Sequence, residues 1–179
     1  IGGLGAGARA VYALDVTNPV APTETESAVA SSGRVLWEFT HANLGHVFDA
    51  PTLVKTRRYG WVALIASGHN NPGGDGKLFV ANPTSGALLK MLSTGVGSND
   101  APSGLAAVRA YITNRSDPYV EQAYGGDLDG NLWRFDLASA DESGWKVERI
   151  AKLTDASGKP QPITTGVRIE IDPGNGVDR

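Results

Sequence analysis

Strand-length apolar runs, some alternating with polar residues at a period of two, recur along this chain. In Arg34-Val35-Leu36-Trp37-Glu38-Phe39-Thr40, the side chains of Val35, Trp37 and Phe39 share one face, the pattern of a strand with one buried side. Comparable runs are Ala8 to Val16, Ala50 to Thr56, Trp61 to Ser67, Lys77 to Ala81 and Leu88 to Leu92. A second round reads Leu105 to Ile112, Val120 to Tyr124, Asn131 to Leu137 and Trp145 to Leu153, and Gln161 to Ile171 would open another. Turn-forming residues separate the runs. Thr17 to Ser32, rich in Pro, Ser, Thr and Glu, reads as a surface loop. Ala138 to Glu148 keeps no apolar stripe and is broken by Gly144, so it predicts a loop leading into a strand.

The rounds repeat. Asp75-Gly76-Lys77-Leu78-Phe79-Val80 and Asp129-Gly130-Asn131-Leu132-Trp133-Arg134 stand 54 residues apart. Each Asp-Gly lies between strand-like runs, which predicts two-residue I′ hairpin turns with positive φ at Gly76 and Gly130. Ala10-Val11-Tyr12-Ala13-Leu14-Asp15 is a weaker copy, and aligning Tyr12, Phe79 and Trp133 also superimposes Asp15, Asn82 and Asp136. Phe79 and Trp133 are therefore expected at equivalent buried positions. A repeat near 50 residues with four strands per round and aromatic and Gly/Asp markers predicts β-propeller blades. The fold class is all-β: about two complete four-stranded blades, the back half of one before them and the front of one after. Residues 1–179 read as part of one propeller domain cut from a longer protein.

Composition narrows the function. Hydrophobic residues make up 41% and charged residues 20%, as in a globular domain. A net charge of -3 argues against a nucleic-acid partner, whose footprint is basic and clustered. No apolar run approaches the length of a membrane span. With no cysteine, disulfides and thiolate metal sites are excluded from this segment.

Individual motifs carry little chemistry. Gly2-Gly3-Leu4-Gly5-Ala6-Gly7 precedes a strand instead of an amphipathic helix, so it is no dinucleotide fingerprint. His41, His46 and His69 follow no metal-site spacing and read as loop or packing residues. Asp127-Leu128-Asp129-Gly130-Asn131 clusters oxygen donors, yet its glycine comes fourth and a strand follows at once, so it reads as a turn. Asn114-Arg115-Ser116 matches a glycosylation triplet and reads as a polar loop.

Two resemblances follow. Ala81-Asn82-Pro83-Thr84-Ser85-Gly86-Ala87-Leu88-Leu89 is similar to the strand-turn-strand repeat of quinoprotein dehydrogenase propellers, where an aromatic after the turn docks between blades. Here that position is aliphatic or basic, and the cysteines and aromatics that flank the quinone are missing. The second resemblance spans nearly the whole chain. It rests on Ala13-Leu14-Asp15-Val16-Thr17-Asn18-Pro19, on Val35 to Thr40, on Gly60 to Asn70, on Tyr124-Gly125-Gly126-Asp127-Leu128-Asp129-Gly130-Asn131-Leu132-Trp133-Arg134-Phe135-Asp136-Leu137, and on Gln161-Pro162-Ile163-Thr164-Thr165. In this order the chain closely resembles the C-terminal propeller of the PilC/PilY family, large proteins at the tip of bacterial type IV pili.

That resemblance implies a modified propeller, a place at the pilus tip or outer-membrane surface, and work in pilus assembly, adhesion and twitching motility. It implies minor pilins or pilus machinery, and a host or abiotic surface, as partners. It also implies an EF-hand-like calcium loop linked to pilus extension and retraction, which here matches Thr113 to Glu121. Asp117 and Glu121 are its candidate carboxylate ligands, and Thr113 could add a hydroxyl. Arg115 puts a cation where a ligand should stand and Pro118 replaces the turn glycine, so the loop is degenerate and calcium is disfavoured. No other cofactor is expected. The favoured function is a non-enzymatic scaffold, with a calcium-sensing regulator as its variant. The competitor from another class is a quinoprotein-like oxidoreductase.

Overall fold

The computed structural model describes residues 9–17, 34–112 and 116–170. The glycine-rich lead over 2–7, most of the polar excursion and Thr113, Asn114 and Arg115 lie outside them. Ten strands form three antiparallel sheets: β1 (Val11–Leu14) with β2 (Val35–Phe39); β3 (Thr52–Thr56), β4 (Gly60–Ala66), β5 (Lys77–Ala81) and β6 (Leu88–Ser93); and β7 (Val108–Tyr111), β8 (Gln122–Gly126), β9 (Asn131–Asp136) and β10 (Lys146–Lys152). In the two larger sheets sequential strands are neighbours, the meander of a propeller blade. The first sheet supplies the outer pair of a blade. Among the described residues the remaining regular structure is a 3₁₀ turn, Glu142–Gly144, inside the predicted loop.

Alternation explains the stacking. On β5, Phe79 and Ala81 point into a core shared with the first sheet, together with Val11, Ala13, Trp37, Phe39 and Ile65. Leu78 and Val80 point the other way, into a core shared with the third sheet, where Val120, Ala123, Trp133, Phe135 and Leu137 meet Val54, Val62 and Leu64. Every residue of β5 is consequently buried, as expected of a strand covered on both faces. Phe79 and Trp133 are both buried, each facing the preceding sheet. Tyr12, at the aligned position of β1, is 38% exposed, and among the described residues no sheet lies against its side of β1.

The repeat reappears in the turns. Asp15 accepts the Thr17 N–H at 2.9 Å, Asn82 the Thr84 N–H at 2.8 Å and Asp136 the Ala138 N–H at 3.1 Å. Each closes an Asx turn after the third strand of its round. Each outer strand pair also carries an irregularity, between Ala13 and Leu14, between Val80 and Ala81, and between Arg149 and Ala151. The first of these takes Val35 off the Trp37–Phe39 face and leaves it 41% exposed, contrary to the simple alternation.

Three further expectations are corrected. Asp75-Gly76 is no hairpin turn, because residues 67–76 separate β4 from β5 and Gly76 is not in the left-handed region. The chain reverses through Gly68, Asn70, Gly73 and Gly74, all with positive φ. A glycine is needed at position 76 for close approach, since a Cβ would lie 2.5 Å from the Gly104 carbonyl oxygen. Gly130 does have positive φ (76°), but Asp129 does not, which rules out I′ there. Instead the Gly130 N–H bonds to the Asp127 carbonyl at 3.2 Å, and the link from β8 to β9 is the four residues 127–130. Finally, 161–170 forms no strand. Its backbone is tied at single points, with the Gln161 N–H to the Leu153 carbonyl and the Ile163 N–H to the Asp127 carbonyl, and no continuous ladder partner lies beside it.

Two glycines separate φ from packing. Gly130 and Gly60 both have positive φ, but a Cβ at Gly130 would meet the Leu153 and Gln161 carbonyl oxygens at 2.5 and 2.7 Å, whereas at Gly60 nothing lies within 4 Å. Gly60→Asn should therefore cost about 1 kcal/mol and Gly130→Asn distinctly more, read from denaturant midpoints at equal m. Trp133→Ala should cost about 3–5 kcal/mol in the same measurement. Equal losses at the two glycines would refute the packing account.

Candidate functional site

Asp127 is the most tightly built polar site. It sits at the end of β8 with its residue fully buried. One carboxylate oxygen accepts the N–H groups of Asp129 (3.0 Å) and Asn131 (2.8 Å). The other accepts the Trp133 indole N–H (2.8 Å), and the Asn131 amide reaches both (3.1 and 2.8 Å). The oxygen cluster that suggests a cation in the sequence is thus filled by the protein's own N–H donors, which satisfy a buried carboxylate without a metal. Trp133, expected only as a buried ring, also supplies one of those donors.

The corresponding corner of the second sheet uses different chemistry. Asp75 pairs with Lys77 and accepts from the Ser93 hydroxyl, while the Asn71 amide donates to the Asp75 carbonyl at 2.8 Å. Lys77 is 8% exposed, so this ion pair is largely out of water.

The candidate calcium loop rests against β3. Asp117 forms an ion pair with Arg57, from the β3–β4 hairpin. The Lys55 ammonium and the Arg57 guanidinium each lie 4.9 Å from the centroid of the Tyr119 ring. The Val120 N–H bonds to the Lys55 carbonyl at 2.8 Å. Glu121 immediately precedes β8. Its backbone joins the third sheet, accepting from the Leu137 N–H at 2.8 Å. Arg115 lies outside the described residues, and the cation that meets Asp117 is Arg57. Among the described residues no three His, Asp or Glu side chains converge as a metal would require.

The three histidines serve as packing. The His41 ring lies 5.0 Å from that of Phe79, and its Nδ1 accepts the Asn43 N–H at 3.0 Å. His46 and His69 pair through their backbones, and the His69 ring meets Phe48 edge-on at 5.3 Å. Burial, with the charge of His46 adding to it, holds His69 below the usual imidazole range.

Side chains latch adjacent sheets together. The Trp37 indole donates to the Pro83 carbonyl at 2.9 Å and lies on Gly86, where a Cβ would come within 2.8 Å of the ring. The next interface uses charge: Tyr59 donates to Glu142, Lys90 reaches the same carboxylate at 3.4 Å, and Tyr59 meets Trp145 edge-on at 5.8 Å. Lys90 follows Gly86 by four residues as Trp37 follows Gly33, so the docking place of the first interface is basic in the second.

This stack of antiparallel sheets, two of them four-stranded, packed face to face and latched by side chains, is a β-propeller segment. The model of the PilY1 beta-propeller domain family matches residues 1–157, and the chain belongs to that family. It is 31% identical over 195 residues to a type IV pilus biogenesis factor PilY1 homolog of Xylella fastidiosa, covering 98% of this chain and 13% of the relative. It is 34% identical over 140 residues to the type IV pilus biogenesis factor PilY1 of Pseudomonas aeruginosa, covering 76% of this chain and 11% of the relative. It superposes on the solved Pseudomonas aeruginosa PilY1 C-terminal domain with a TM-score of 0.78 at 27% identity, over 94% of this chain and 37% of that one. The chain therefore spans about an eighth of these full-length relatives.

The latch at Glu142 has a pH signature. The Tyr59 hydrogen bond, then Lys90, hold its carboxyl below the ordinary carboxylate value. A depressed folded-state pKa gives stability above the unfolded value that is lost as pH falls through the folded one. The melting temperature of the wild type should exceed that of Glu142→Gln near neutral pH, and the gap should close in the acid range below the ordinary glutamate value. A gap unchanged down to pH 3 would show that the carboxylate charge contributes nothing to the latch.

Proposed function

We propose that the 179 residues are part of one propeller domain, and that this domain works without catalysis as a scaffold in type IV pilus biogenesis. The observation that carries this reading is family membership over most of the chain combined with a structure whose polar groups hold blades together. The buried carboxylate at Asp127 is saturated by protein donors, the Asp75–Lys77 pair holds a corner of the second sheet, and the Asp117–Arg57 pair ties the loop to the β3–β4 hairpin. Its partners are minor pilins or other pilus machinery, met at the cell surface or pilus tip, with surface attachment and twitching motility as the readouts. In a strain that makes the parent protein, removing the codons for residues 34–152 should abolish surface pilin in sheared fractions and twitching zones alike. Piliation and twitching at wild-type levels would overturn the reading.

The 116–121 loop belongs to the same scaffold. Arg57 supplies Asp117 with the positive charge that a cation would bring, and cation–π contacts of Lys55 and Arg57 with the Tyr119 ring rest the loop on β3. On this reading calcium is not required there. Isothermal titration should show no calcium binding tighter than about 10⁻⁴ M, a limit already weaker than the sensor range. Tighter binding that vanishes in Asp117→Ala would restore Asp117 and Glu121 as calcium ligands.

A further inference from the structure

A groove of about 600 Å³ opens where the lead-in segments of three successive rounds converge: 48–49, 106–109 and 164–166. From Asp49 to Ala106 is 57 positions and from Ala106 to Thr164 is 58, one round each. The first two segments lead into β3 and β7, the innermost strands of their sheets. Equivalent segments of consecutive blades meet at the mouth of the central channel, and the mouths of closed β-structures are preferred places for ligands. None of the latches described above uses this groove.

We propose that this groove binds a neutral saccharide. Across it, Arg109 Nη2 pairs with Asp49 Oδ2 at 2.7 Å, and Nη1 donates to the Val108 carbonyl at 3.0 Å. The guanidinium lies against Gly166, where a Cβ would come within 2.7 Å of Cζ, so the glycine leaves the room it occupies. Both members of the pair keep part of their surface in water, at 42% and 32% exposure. They present guanidinium donors beside carboxylate acceptors, the arrangement that a pair of neighbouring hydroxyls satisfies because each hydroxyl both gives and accepts. Thr164 and Thr165 add further polar groups to the lining. Phe48 is half exposed, with its ring steadied edge-on against His69, and it offers an apolar platform for the C–H face of a sugar ring.

Other ligand classes fit less well. An anion would have to displace Asp49 from Arg109, the Lys or Arg side chain of this lining. Burial, then the nearby His46, hold the His69 imidazole below its ordinary range, which works against its cationic form. A wholly apolar ligand would have to dehydrate the ion pair without replacing its hydrogen bonds. The proposal stands apart from the pilus reading, which would survive its failure.

The test is titration of the full ¹⁵N-labelled chain with methyl α-mannopyranoside, methyl β-galactopyranoside and N,N′-diacetylchitobiose, and separately with sodium acetate at matched ionic strength. At least one neutral sugar should give saturable shifts at amides of 48–49, 69, 106–109 and 164–166, with a dissociation constant of about 1 mM, as expected for a shallow polar site. Affinity should fall about tenfold or more in Phe48→Ala and Arg109→Lys, and survive in Phe48→Tyr, which keeps the ring. The Lys and Tyr variants make the comparison independent of whether the Ala variant folds. Saturable shifts from none of the three sugars, shifts away from the groove, binding of acetate alone, or affinity indifferent to Arg109→Lys would each overturn the proposal.

Discussion

The buried carboxylate of Asp127 constrains more of this structure than any other single group. An ionised carboxylate taken out of water is tolerated only when its lone pairs are met by donors. Here the donors are two turn N–H groups, the Asn131 amide and the Trp133 indole. Meeting that requirement fixes the 127–130 turn and the start of β9, and it orients the indole whose ring fills the core between the second and third sheets. The same turn carries the chain onward. The Asp127 carbonyl accepts the Ile163 N–H at 2.9 Å, and Ile163 packs on Gly126 so closely that a Cβ there would clash at 2.2 Å. Residues 164–166, the third wall of the axial groove, follow directly from that anchor.

Comparing the rounds separates what the repeat preserves from what it leaves free. Strand order, the Asx turn after the third strand and the orientation of that strand's central side chain recur. The means of holding each corner do not. Asp75 is satisfied by Lys77 and Ser93 where Asp127 uses neutral donors, and the Trp37 latch on Gly86 gives way to Tyr59 and Lys90 on Glu142. Geometry is imposed by the need to stack twisted sheets face to face. Any chemistry that satisfies the local polar groups then suffices. Exposed pairs such as Lys90–Glu142 add little stability individually, so the cores between sheets carry the energetic weight and the latches chiefly set register.

The same distinction decides what could be read from the sequence. Strand positions follow from period-two alternation, and the bounds of β5 were legible because both neighbours are turn residues. The blade count was legible from the spacing of Phe79 and Trp133. Turn type was not. Asp-Gly at 75–76 has the composition of an I′ turn, but the ten-residue link gives the left-handed positions to Gly68, Asn70, Gly73 and Gly74. The 161–170 run has strand-like composition without a ladder partner beside it, and a strand exists only when paired. At the candidate site, Arg115 and Pro118 depart from the pattern of a calcium loop. The charge that meets Asp117 comes from Arg57, 60 residues away in sequence, and no local pattern marks such a contact. The donors around Asp127 were nearly legible, since Asn131 and Trp133 lie at alternate positions on one strand face.

Exposure at repeated positions shows how far burial is a property of the arc and not of the residue. Tyr12, Phe79 and Trp133 occupy one alignment column, yet the two that face a preceding sheet are buried and Tyr12 is not. Leu53 and Trp61, on the inner strands of the second sheet, are 51% and 60% exposed opposite a first sheet that has only an outer pair. These side chains have the size and hydrophobicity of their buried counterparts, so their exposure reflects which faces have a neighbour among the described residues. Single apolar residues on a surface need no explanation, but here they fall at positions that are covered elsewhere in the repeat. The chain matches 37% of the solved domain it resembles, and on a ring built of such sheets these are the positions where blade would meet blade. The axial groove is different. Its three walls, at 48–49, 106–109 and 164–166, all come from rounds present in this chain.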